Sequence, residues 1–265
     1  MTLYLNLRES QPQMMSGDGG PGARLIADEA VNGEIRGRTV VFGVHGFNVR
    51  YKSGLRSLAR LDAALKLPQS HVFIGVLWPG DFWVPVINYP AEWEDAVKGG
   101  QALARYAQAR MASAPRFAFV SHSLGGRLAL EAAAHLPDDR VGRVCLMAAA
   151  TDDNCLERPY DVSLRKAQKL TGLASRKDKV LAVAYPLGDF AGDLLFRDKD
   201  SPFRGALGRY GPRFKTPNWV RIENREGFTH SDYFPPGDTT PLKPTQGKAI
   251  RYARDFLLSD EPGWA

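Results

Sequence analysis

Short apolar runs recur along this chain, separated by longer stretches, and this alternation constrains the fold more than any other feature. The runs are Thr39–His45, His71–Trp78, Arg116–Val120, Val144–Ala149, Lys179–Tyr185 and Trp219–Glu223. Their length and β-branched content fit buried strands. Helical spacing appears between them. Leu55, Leu58, Leu61 and Leu65 recur at three and four within Ser53–Leu67, and Pro68 stops that helix. Glu94–Met111 carries Val97, Gly100, Leu103, Ala104, Ala107 and Met111 on one side. A third helix runs from Gly126 to about Leu136, and a last one covers about Thr245–Leu258. Strands alternating with helices predict an α/β fold: a mostly parallel central sheet with helices on both faces. Residues 1–38 read as one or two edge strands with a loop over Ser10–Ala23. No linker divides the 265 residues, so one domain over 1–265 is expected, with room for cap or lid insertions at 154–178 and 194–217.

Composition narrows the function classes. The chain is 44 % hydrophobic, which argues against disorder, and no apolar run reaches the ~20 residues a membrane span needs. Met1–Arg8 lacks the basic start and apolar stretch of a signal peptide. A soluble, cytoplasmic protein is the expectation. Two cysteines, Cys145 and Cys155, support neither a disulfide framework nor a structural zinc site. The net charge is +6, with the densest basic stretch between Arg197 and Lys215. It is interrupted by Gly and Pro and has no nucleic-acid motif beside it, so a solvated loop is expected and no nucleic-acid partner.

The chemistry centres on Ser121-His-Ser-Leu-Gly-Gly126, between a strand and an alanine-rich helix. A serine on such a turn presents its Oγ at the C-terminal edge of the sheet. The residues two before and two after it must be small, and here they are Ser121 and Gly125. The usual pattern is G-x-S-x-G, so the first position departs by one hydroxymethyl group. Ser123 is therefore the candidate nucleophile, although a lone turn serine is also a common helix cap.

A serine hydroxyl needs a base. His230, in Gly227-Phe-Thr-His-Ser-Asp-Tyr-Phe234, follows the last strand and should emerge at the same sheet edge. His122 should point elsewhere, and Asp232 reads as a local turn residue. The acid that orients the imidazole lies between serine and histidine in chain order. Its usual place is after the second strand beyond the nucleophile strand. Asp189 is preferred there because it is nearest the strand end, with Asp193 and Asp152 as alternatives. The oxyanion hole calls for backbone N–H groups, supplied by Leu124 after the nucleophile and by Phe47 after His45-Gly46. Trp78, Phe82 and Trp83 lie near this edge in sequence and are candidates to line an acyl pocket.

His45-Gly-Phe-Asn-Val49, Val120-Ser-His-Ser-Leu-Gly-Gly126 and the late His230 together resemble the α/β-hydrolase superfamily. Leu77-Trp-Pro-Gly80 and Tyr185–Asp189 add a resemblance to a poorly characterised bacterial branch of serine hydrolases. The resemblance spans roughly residues 39–258. It implies a Ser123, Asp189, His230 triad. Hydrolysis of small acyl esters is the expected chemistry, and it requires no metal or organic cofactor. Acyl transfer, thioester cleavage or a non-catalytic binding role on the same scaffold are the other expectations.

Overall fold

Val40, Val41, Phe42 and Val44 are all fully buried, as a strand covered on both faces requires. They belong to β4 (Thr39–Val44), near the middle of the sheet in the computed structural model, which describes residues 1–20, 22–80, 89–182, 205–214, 219–259 and 262–264. The other strands are β1 (Thr2–Asn6), β2 (Gln13–Gly17), β3 (Arg24–Leu25), β5 (His71–Leu77), β6 (Phe117–His122), β7 (Val141–Met147), β8 (Lys169–Ser175) and β9 (Trp219–Ile222). Among the described residues they form one sheet in the order β3-β2-β1-β5-β4-β6-β7-β8-β9. Only β1–β2 and β2–β3 pair antiparallel, and every pairing from β1 through β5 to β9 is parallel.

The helices are α1 (Asp28–Ile35), α2 (Tyr51–Leu65), α3 (Tyr89–Arg110), α4 (Gly125–His135), α5 (Asp161–Lys166), α6 (Leu207–Tyr210) and α7 (Pro244–Leu258). Helices α3 and α4 pack on each other, as do α2 and α7. Leu55, Leu58, Leu61 and Leu65 of α2 are buried, so the leucine stripe is the sheet-facing side. No helix among the described residues is long and apolar enough to cross a membrane.

Three expectations are corrected. Residues 1–38 hold three strands and α1, whose sparse apolar face (Val31 and Ile35 buried) gives a weak helical signal. Residues 154–178 are not a cap: they contain α5 and the core strand β8. The apolar stretch at 179–185 is not the fifth core strand, because its described part, residues 179–182, is helical. The strand is Lys169-Leu-Thr-Gly-Leu-Ala-Ser175, whose glycine hides its nature. Gly172 pairs with Trp219 of β9, and a Cβ there would lie 2.3 Å from the Trp219 ring. The indole fills the space a β-branched residue would take, so tertiary packing overrides local propensity.

Candidate active site

The turn after β6 is forced by its neighbours. Ser123 has φ +55°, in the left-handed region that an L-residue enters only at a cost. Its N–H donates to Met147 O at 3.0 Å, and its carbonyl accepts from Gly126 N at 2.9 Å and Ala150 N at 3.0 Å. These bonds hold the turn between β7 and α4. Gly125 cannot be larger, since a Cβ would sit 2.3 Å from His45 O. Gly46 is restricted likewise, with a Cβ placed 2.9 Å from that of Ser123. The small-residue requirement at the turn thus reflects the close approach of the β4 and β6 ends.

Three loops converge on the Ser123 hydroxyl. His230 Nε2 lies 3.0 Å from Ser123 Oγ. His230 Nδ1 lies 2.7 Å from Asp178 Oδ2. A carboxylate only accepts, so the ring donates from Nδ1, and its Nε2 lone pair faces the serine. Asp178 is completely buried, and Leu181 N donates to its Oδ1 at 2.9 Å. The Arg209 guanidinium donates to Asp178 O at 2.6 Å, tying α6 to the loop after β8. Asp178 therefore occupies the place expected for Asp189. Asp189 and Asp193 lie outside the described residues, and Asp152 instead bridges Ala206. Asp178 follows β8, the second strand beyond β6, so the same placement rule points to Asp178 once that strand is β8 rather than 179–185.

The loop that carries His230 is stitched in place. Ser175 Oγ donates to Phe228 O at 2.8 Å. Asp232 accepts from Thr229 N at 2.8 Å, from Lys243 Nζ at 3.0 Å and from Thr245 Oγ1 at 3.0 Å. Burial alone would raise the Asp232 pKa, but the Thr229, Lys243 and Thr245 hydrogen bonds outweigh it and hold the carboxyl below its ordinary value. Asp232 is a turn residue, as its position suggests. The buried Gln246 donates to Ser231 O at 2.9 Å and to Phe234 O at 3.0 Å. His122 does not point away from the site: its Nε2 meets His230 O at 2.8 Å.

The loop after β4 runs beside the serine. Neither the Phe47 N–H nor the Leu124 N–H donates to a backbone carbonyl among the described residues. Leu124 is the residue that caps α4, so its N–H lies at that helix's positive end. His45 is buried, with its Nδ1 donating to Gly46 O at 2.8 Å. Trp78 corrects the expectation of a pocket-lining residue. It is fully buried, stacks on His45 at 5.7 Å and donates from its indole N–H to His45 O at 3.0 Å. It supports the loop from below. Phe82 and Trp83 lie outside the described residues. A cavity of about 350 Å³ adjoins the loop, bounded by Gly46, Asn48, His122, Ser231, Phe234 and Gly237. A larger one of about 590 Å³ lies by Arg38 and His71, at the opposite edge of the sheet from Ser123.

A family described as α/β-hydrolases of unknown function, DUF900, matches residues 27–201. No curated protein matches the chain. Two solved structures of esterase B from Lactobacillus rhamnosis are similar at 12 % identity, covering 73 % of this chain and 68 % of theirs, with a TM-score of 0.35. One of them is described with a tributyrin phosphonate inhibitor.

Proposed function

The chain belongs to the DUF900 family of α/β-hydrolases, and from that premise we propose that it is a serine hydrolase that cleaves carboxylic esters through an acyl-enzyme on Ser123. One observation carries the reading: an unbroken hydrogen-bonded line from a buried carboxylate through an imidazole to a hydroxyl on a strained turn.

In the proposed cycle His230 Nε2 takes the Ser123 proton as Oγ attacks the acyl carbon. Asp178 keeps the ring in the tautomer that can accept this proton and stabilises the imidazolium that forms. The oxyanion is placed on the N–H groups of Phe47 and Leu124, each worth ~3 kcal/mol to the transition state. His230 then protonates the leaving alcohol, and the C–O bond of the ester breaks. Water adds to the acyl-enzyme by the same route and releases the acid. A bound small acyl ester and water are the reactants this cycle needs, and the catalytic groups are side chains and backbone of the chain itself.

The test is hydrolysis of p-nitrophenyl esters of graded chain length. The wild-type protein is expected to turn over at least one of them, and Ser123→Ala to lower kcat by a factor on the order of 10⁴ or more. Equal rates for the two proteins would remove the proposal.

A further inference from the structure

We propose that His122 is a positioning residue for the base: its Nε2–H, donated to the main-chain carbonyl of His230, locks the base loop to the nucleophile turn. The inference rests on the assignment of Ser123 and His230 as nucleophile and base.

Three contacts make the case. The His122 Nε2 to His230 O distance is 2.8 Å. The rings of His122 and His230 lie 4.8 Å apart, and His122 stacks on Phe234 at 5.7 Å and 25°. On its far side, a Cβ at Gly46 would come 3.1 Å from His122 Nδ1. The side chain is thus gripped between the oxyanion loop and the base loop. It is also the residue immediately before the nucleophile, so nucleophile and base share one short covalent and hydrogen-bonded ring of atoms. Asp178 fixes the His230 ring at one nitrogen, and bonds at Thr229 N and Ser231 O hold the flanking backbone. The His122 bond ties down the His230 carbonyl itself and sets it against the nucleophile turn.

The charge state suits the task. Burial first, and then the neighbouring His230, lower the His122 pKa to about 3. The ring is therefore neutral wherever the base works. It puts no second positive charge beside the imidazolium that His230 becomes, and its one N–H is committed to the carbonyl.

Two substitutions of similar length separate this role from simple packing. His122→Gln keeps a neutral N–H donor, whereas His122→Met fills the space without one. On an ester that the wild-type protein cleaves, His122→Met is expected to lower kcat about 10- to 100-fold with KM changed less than about threefold, as small misplacements of catalytic groups do. His122→Gln is expected to stay within about threefold of wild type in both. The rate of labelling by a fluorophosphonate should fall in parallel for His122→Met, and a matched thermal unfolding midpoint shows that the fold is retained. If His122→Met fails to fold, His122→Phe replaces it in the comparison. Wild-type kcat in the donor-free variant, or an equal loss in His122→Gln, overturns the proposal. A wild-type protein as inactive as Ser123→Ala would instead overturn the hydrolase reading itself.

Discussion

At Ser123 the backbone is held at φ +55° by hydrogen bonds to both flanking elements, so the conformation is maintained by tertiary structure and not chosen by the residue. The left-handed region costs an L-residue about 1–2 kcal/mol, against about 0.5–1 kcal/mol of extra chain entropy lost by glycine. Ser123→Gly is therefore expected to be more stable than Ser123→Ala by up to about 1 kcal/mol in urea unfolding, with both inactive. The acid offers a sharper comparison. Asp178→Asn leaves the bond to His230 sterically possible but favours the wrong tautomer, and kcat should fall about 10⁴-fold. Asp189→Asn should retain most activity, and the two kcat values measured side by side decide between the residues. The pairing of Ser123 with His230 is legible in the residues because a hydroxyl between small residues, after a strand and before a helix, has few alternatives. Asp178 is not, because nothing about Arg176-Lys-Asp-Lys179 marks a carboxylate destined for full burial. The same holds for His122, whose partner is a main-chain carbonyl 108 residues away in sequence.

The elements around the site differ in how plainly they can be read. Strands β4, β5, β6 and β7 stand out as apolar runs because most of their residues are buried, and β9 as a short run with only Ile222 buried. Strand β8 does not: its Gly172 is complemented by Trp219, and its Thr171 Oγ1 pairs with Tyr252 OH at 2.7 Å, both far off in sequence. Reading 179–185 as the strand shifts the expected acid downstream, and the preference for Asp189 over Asp178 follows from that one displaced element. The base loop carries its own testable electrostatics. Asp232 is almost fully buried and its folded pKa lies below the ordinary 3.8, so its contribution is complete above about pH 4 and is lost as pH falls through the folded value. Asp232→Asn is expected to cost about 1–3 kcal/mol at neutral pH, the usual range for hydrogen bonds to a buried charge. The gap from wild type should close on acidification. Urea midpoints of the two proteins across the acid range measure it, and a gap independent of pH would show that the carboxylate charge is not involved.

Across the whole molecule, parallel pairing from β1 through β5 to β9 brings the strand ends to one edge, where loops 107 residues apart meet at Ser123 and His230. That convergence is a property of the topology, which is why the fold class was readable from the alternation of strands and helices while the distances were not. The same core buries both thiols. Cys155 is pushed up to about 12 by burial, and Cys145 is raised further. Neither should react with a disulfide reagent in the native protein, and both should react together on unfolding, giving two thiols per chain. A thiol that reacts early would mark a part of the core that opens on its own. The most direct measurement concerns the hydroxyl and the imidazole. Treated with a fluorophosphonate and mapped by mass spectrometry, the wild-type protein should carry one adduct, on Ser123, and His230→Ala should label at least about 10³-fold more slowly. An unlabelled wild-type protein, or one labelled as fast without His230 as with it, would contradict the account.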